Sequence, residues 1–178
     1  MTEKKVLIVI PPRNYRDEEL YEPVRYLEKN GITYDVISTS EGVAIGMLGG
    51  KMLIEKTIKE VKEEGITGYD GIIIVGGGGS PEYLWNNTSL LDLVRQFDDH
   101  GKIIGAICLS PPILARAGVL KERQATVWND DQAIEEIRKG GGTFTSKPLV
   151  VDGRIITANG PAAAGGFGEK IAKAILGS

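Results

Sequence analysis

The 178-residue chain has room for one well-filled core and is short for two, so a single domain over residues 1–178 is the expectation. Its 42% hydrophobic and 25% charged content is that of a globular protein, and the net charge of −3 offers no global attraction to nucleic acid or anionic membranes. A single cysteine excludes an internal disulfide and fits a reducing, cytoplasmic setting, while one histidine and scattered acids give no metal-ligand spacing.

In chain order, Val6–Ile10 is a β-branched run stopped by Pro11-Pro12, as expected of a strand buried on both faces. The five apolar residues before Pro11 are too few for a signal-peptide core or a membrane span. A polar loop over Arg13–Asp17 leads into a helix from about Glu18 to Asn30, closed by Gly31. Leu20, Val24 and Leu27 form its apolar stripe. Glu19 lies beside that stripe in the first turn, and Pro23 predicts a bend or a second helix start. A strand over 32–38 follows, then two short strands, 43–47 and 51–54, as a ribbon, and a charged helix over 57–64.

Asp70–Val75 is a further core strand running into Gly76-Gly77-Gly78-Gly79. This run lacks the lysine of a P-loop and the spacing of a dinucleotide fingerprint. It fits better as backbone brought close to something, with N–H groups facing it. Ser80 reads as the N-cap of a short helix with Pro81 at its first position, and 89–100 as another helix. Gly101–Ile107 then delivers Cys108 between Ala106 and Ser110, and a helical segment follows at once. Strand, nucleophile-type side chain and helix in that order describe a nucleophile elbow. A buried cysteine packing as a small hydrophobe fits the same residues.

Beyond it, the pattern predicts a strand at 125–128, a helix at 130–139 and a short strand from Thr143. It continues with a hairpin on Asp152-Gly153 and a closing helix at 162–176. Strands alternating with amphipathic helices specify an α/β fold, a doubly wound, mostly parallel sheet sandwiched by helices as in flavodoxin-like proteins. Ligands of such sheets bind beyond the carboxyl ends of the strands. Cys108, the Gly76–Gly79 loop, the Pro11–Glu19 region and Asn159 all come from those ends. Asn14, Tyr15, Asp130 and Asn159 are candidates for the pocket lining and equally ordinary loop residues.

The combination of Val75-Gly76-Gly77-Gly78, Gly105-Ala106-Ile107-Cys108, Pro111, Ala117–Lys121, Ala125-Thr126 and Ile155–Pro161 resembles the ThiJ/PfpI superfamily. That group, with its class I glutamine amidotransferase-like fold, includes the Parkinson-linked protein deglycase and archaeal intracellular proteases. The resemblance covers nearly the whole chain and is loose between Thr39 and Ile66. It implies a reactive Cys108 partnered by Glu19, an oxyanion pocket from the Gly78 and Leu109 amides, and a homodimer or larger homo-oligomer. Taken from the residues alone, Glu19 also fits a solvated first-turn acid favoured by the helix dipole.

Two departures shape the chemistry. Protease-like members carry histidine where this chain has Leu109, and deglycase-like members usually carry one where it has Trp128. The sole histidine, His100, is separated from Cys108 by a strand of about 20 Å, so no Cys-His dyad forms within the chain. A peptidase is therefore disfavoured, unless a partner subunit lends a histidine. Two readings remain: Cys108 adds to a small reactive carbonyl, free or on a glycated protein, with Glu19 moving the proton as in glyoxalase or deglycase chemistry. Alternatively, Cys108 is a non-enzymatic redox or stress sensor. In both, Gly77 and Trp128 border the pocket, Leu109 and Trp128 make it apolar, the dipole of the following helix assists the thiolate, and no cofactor is required.

Overall fold

The computed structural model describes residues 2–177. The chain runs through β1 (Lys5–Val9), β2 (Arg13–Tyr15), α1 (Asp17–Lys29), β3 (Thr33–Ile37), β4 (Gly42–Gly46), β5 (Lys51–Ile54) and α2 (Ile58–Glu64). It continues through β6 (Gly71–Ile74), α3 (Gly79–Tyr83), α4 (Thr88–Asp99), β7 (Ile103–Ile107), α5 (Pro111–Arg116) and β8 (Gln124–Ala125). It ends with α6 (Asp131–Lys139), β9 (Thr143–Phe144), β10 (Leu149–Asp152), β11 (Ile155–Ala158), a 3₁₀ turn (Pro161–Ala163) and α7 (Ala164–Leu176).

Six strands form the central sheet in the order β10-β11-β7-β6-β1-β3, all parallel except the antiparallel edge strand β10. This is the α/β architecture read from the sequence. Alternate residues of each strand face opposite sides. Leu7, Val9, Ile72, Ile74, Ile104 and Ala106 pack with the buried faces of α2, α4, α5 and α6. Val6, Ile8, Ile73 and Ile107 pack under α1 and α7 with Leu20, Phe167 and Ile171. Two buried faces require strands apolar on both sides, which is why the core strands read as continuous hydrophobic runs. Side chains cap the helices where the sequence offers them. Thr57 and Glu60 make a reciprocal capping box on α2, while Asn87 and Asp130 accept from Leu90 and Ala133 amides at 2.9 Å.

Several local expectations change. Arg13–Tyr15, expected as loop, is a short strand pairing with β4, and β4 and β5 form the expected ribbon, so that a second sheet has the order β2-β4-β5. Pro23 neither splits nor restarts α1, which is continuous from Asp17 to Lys29. It packs instead against α7 at Gly168, where a Cβ would lie 2.8 Å from Pro23 Cα. Ser80 is not the N-cap of α3 but lies inside it, because the helix begins two residues earlier than expected, with Gly78 as its N-cap. Of the expected 125–128 strand only Ala125 is paired, together with Gln124 before it, against β9. The Thr126 and Trp128 amides are drawn elsewhere, to Thr157 Oγ1 at 3.0 Å and Cys108 O at 2.8 Å. The closing helix opens with the 3₁₀ turn rather than as α-helix.

The α1–α7 contact yields a direct test. A Gly168→Val side chain would be driven into the Glu22–Pro23 backbone, which cannot yield as a flexible side chain would. We expect a loss of about 1–3 kcal/mol in stability, read as a lower urea midpoint. An unchanged midpoint would show that the two helices are free to separate.

Candidate active site

Three loops at the carboxyl end of the central sheet are fastened to one another around Cys108. The cysteine follows β7 directly and sits in the left-handed region, φ 63°, between that strand and α5. Its N–H donates to Ala158 O at 2.9 Å and its carbonyl accepts from Trp128 N–H at 2.8 Å. In a trans peptide the N–H points opposite to the carbonyl. Holding the Cys108 carbonyl with Trp128 therefore turns the Leu109 N–H toward the sulfur. The glycine loop repeats the device: Gly76 O accepts from Arg16 N–H at 3.0 Å, which turns the Gly77 N–H toward the same sulfur. The Leu109 carbonyl is fixed in turn by Trp85 Nε1 at 2.6 Å and Ser80 Oγ at 3.2 Å, and Ser110 Oγ donates to Val75 O at 2.7 Å.

Two glycines make this approach possible. A Cβ on Gly76 would lie 2.6 Å from Cys108 Cβ and 2.8 Å from Glu19 Oε1. Gly77 has φ 107°, and a Cβ there would strike Asn14 O and Arg16 N.

Glu19, in the first turn of α1, is fully buried rather than a solvated acid. Its Oε1 accepts the Gly76 N–H at 3.0 Å. Oε2 is buried with no hydrogen-bond partner of its own among the described residues. Burial pushes the carboxyl pKa up to about 8, against opposing pulls from the Cys108 side chain, the Gly76 amide and Arg16. Oε2 is thus the oxygen left to carry the proton, and the carboxyl as a whole interacts with the Cys108 side chain. Burial and the neighbouring Glu19 charge push the Cys108 thiol up to about 12, while the Gly77 and Leu109 amides pull it down. Each negative charge opposes the other, so the pair titrates as a unit that carries at most one charge near neutral pH. The expected help from a helix dipole is small: α5 has six residues and opens with Pro111 and Pro112, neither with an N–H to offer. The two loop amides take that part.

A cleft of about 180 Å³ opens over the sulfur, walled by Arg16, Met47, Gly77, Leu109, Trp128 and Pro161, with Gly78 at its edge. Among the residues named from sequence, Cys108, Glu19, Gly77, Leu109 and Trp128 meet here. Gly78 borders the cleft, but its amide donates to Met47 Sδ at 3.5 Å while that of Gly77 faces the thiol. Tyr15 is buried with its hydroxyl toward Asp17 and Gly50, away from the cleft. Asn159 lines a neighbouring cleft of about 440 Å³, which shares Trp128 and Pro161 with the first. Asp130 serves as a helix cap, and Asn14 takes a left-handed turn, φ 59°. His100 ends α4, exposed, with Nδ1 at 2.9 Å from Gln96 O. Sequence reasoning missed Arg16, Met47 and Pro161. A signal existed for Arg16, which lies between a strand end and the helix bearing Glu19; Met47 arrives from the ribbon turn and carried none.

Comparison with known proteins follows the same lines. The model of the DJ-1/PfpI family matches residues 4–174. A protein of Methanocaldococcus jannaschii without an assigned function is 50% identical over 175 residues, spanning 98% of this chain and 84% of that one. A Caenorhabditis elegans protein named as a glutathione-independent glyoxalase is 26% identical over 175 residues, spanning 98% of this chain and 90% of its own. The crystal structure of a ThiJ/PfpI domain protein from Brachyspira murdochii superposes with a TM-score of 0.90 at 31% identity, over 99% of this chain and 98% of that one.

The raised Glu19 pKa has a consequence for stability. An unfolded carboxyl ionises near 4.5 and the folded one near 8. Between those values the folded state keeps a proton that the unfolded state has released, so stability falls as pH rises through the window. Urea unfolding at intervals from pH 5 to pH 8 should show that decline in the wild type and a flatter profile in Glu19→Gln. Parallel profiles would mean that Glu19 titrates normally.

Proposed function

The chain belongs to the DJ-1/PfpI family, and on that premise we propose that Cys108 and Glu19 convert small 2-oxoaldehydes to 2-hydroxy acids, a cofactor-independent glyoxalase chemistry. The single observation that carries this reading is the buried, protonatable Glu19 carboxyl, with one oxygen unpartnered, set beside a thiol that two backbone amides face.

In the singly ionised pair, the Glu19 carboxylate takes the thiol proton as the sulfur attacks the aldehyde carbon of methylglyoxal. The S–C bond forms, the carbonyl π bond breaks, and the oxyanion gains the proton to give a hemithioacetal. The Leu109 amide serves as an oxyanion donor, and the Gly78 amide, whose partner is a weakly accepting thioether, is a second candidate donor at the edge of the cleft. Glu19 then moves the proton from the former aldehyde carbon to the adjacent carbonyl carbon by way of an enediolate, leaving a lactoyl thioester. Water cleaves that thioester, releasing lactate and restoring the thiol. The sum is methylglyoxal plus water to lactic acid, with no net redox change. The same addition at a carbonyl adduct on a protein side chain is the deglycase variant, and the open, apolar-walled cleft suits either. A histidine is unnecessary because Glu19 handles both proton transfers.

The same grouping also suits sensing by oxidation. A protonated Glu19 and two amides would hold the oxygens of a Cys108 sulfinate, two peroxides being reduced as the sulfur is oxidised. Turnover distinguishes the two. Lactate formation from methylglyoxal should be abolished in Cys108→Ser and fall about 10²–10⁴-fold in Glu19→Gln. In the wild type kcat/KM should climb with pH and level off near 8 as the pair loses its first proton. Undiminished lactate formation by Cys108→Ser would refute the enzymatic reading, and a stable sulfinate without turnover would establish the sensor.

A further inference from the structure

Arg16 is the one charged side chain among the described residues that wall the cleft over Cys108, the others being apolar or glycine. Its backbone is rooted next to the thiol, since its N–H holds the Gly76 carbonyl at 3.0 Å and so helps to orient the Gly77 amide. Its guanidinium is engaged on one edge only: Nε donates to Glu18 Oε2 at 2.7 Å and Nη2 to Glu18 Oε1 at 3.5 Å. A guanidinium has five N–H donors in a planar fork. The Nη1 side has no hydrogen-bond partner among the described residues. Arg16 and Glu18 are each about one-third exposed, 31% and 34%, so the pair is accessible and of a kind that contributes little. The neighbouring Asp17 does not compete for the cation. Its carboxylate is held by the Leu48 and Gly50 amides at 2.7 and 2.9 Å.

We propose that Arg16 is the specificity-determining residue of this site, selecting reactive carbonyl compounds that carry a carboxylate or phosphate a few atoms from the aldehyde. The inference rests on the carbonyl-adding reading of Cys108 given above. Arg16, whose Nη1 side keeps no partner among the described residues, lines the same small apolar-walled cleft as the thiol, and the two together fit a bifunctional ligand. The anion pairs bidentately with Arg16, and the aldehyde reaches the sulfur. Apolar walls strengthen that pairing relative to open water. The net charge of −3 gives no global attraction to anions, and Arg16 is the one cation among the described residues lining the cleft. A merely structural Arg16, bracing Glu18 or tuning Glu19, would alter rates for charged and neutral reagents alike.

Two ratios test this, measured on wild type, Arg16→Gln and Arg16→Lys. The first needs no turnover: the alkylation rate of Cys108 by iodoacetate divided by that by iodoacetamide. The second is kcat/KM for the phosphate ester 3-phosphooxy-2-oxopropanal divided by that for neutral methylglyoxal. Both ratios should fall about tenfold in Arg16→Gln, the loss of one charge-assisted hydrogen-bonded pair, and recover in part in Arg16→Lys. Separate measurement with the carboxylate-bearing and phosphate-bearing reagents shows which anion the edge prefers. A fall in the alkylation ratio with neither oxoaldehyde turned over would remove the glyoxalase reading and leave anion selection by Arg16 supported. An alkylation ratio that is the same in wild type and Arg16→Gln overturns the proposal, whatever the turnover.

Discussion

A buried carboxyl and a buried thiol set side by side cannot both be ionised, because each charge has lost its water and repels the other. Glu19 and Cys108 are under that constraint, and the surrounding structure is arranged around it. The fold supplies donors for one negative charge: the Gly76 amide for the carboxyl, and the Gly77 and Leu109 amides for the sulfur. Among the described residues it gives Glu19 Oε2 no hydrogen-bond partner. A carboxyl buried in this way takes stability from the fold as pH rises through its raised pKa.

Holding such a pair demands rigid neighbours. The two amides facing the sulfur are aimed indirectly, through carbonyls pinned on the far side of each peptide by Arg16 and Trp128. Those pins come from different parts of the chain, one from the segment entering α1 and one from the segment leaving β8. Ser80, Trp85 and Ser110 bind the glycine loop, α3 and the turn after Cys108 into one unit. Asp17 anchors the ribbon turn to the start of α1, and so places Met47 at the rim of the cleft. The central sheet delivers Cys108 and the glycine loop at its carboxyl edge, where parallel strands leave their loops, while the β2-β4-β5 sheet and the β8-β9 pair bring Met47 and Trp128 to them.

The sheet and most helices were legible because their signals are local. Continuous apolar runs mark strands buried twice and apolar stripes at helical spacing mark the amphipathic helices, whereas the one N-cap read from sequence, Ser80, lies inside its helix. Cys108 and Glu19 were legible through their position at strand and helix ends, strengthened by the family resemblance. What escaped depends on contacts distant in sequence. Arg13–Tyr15 becomes a strand because β4 lies beside it, not because three residues carry a period. Pro23 is accommodated by a glycine on α7 about 145 residues away. The choice of Gly77 over Gly78 as the amide facing the thiol is a matter of peptide orientation, set by Arg16 on another loop. Adjacent glycines in a run look identical until that partner is seen.

The chemistry proposed for Cys108 depends on where the proton resides in the resting protein. Infrared difference spectroscopy of the carboxyl C=O stretch, comparing wild type with Glu19→Gln across pH, observes it directly. A protonated carboxyl band absent from the variant should persist through neutral pH and disappear with a midpoint near 8. A Glu19 already fully ionised at mildly acidic pH would contradict the shared-proton pair and the chemistry built on it.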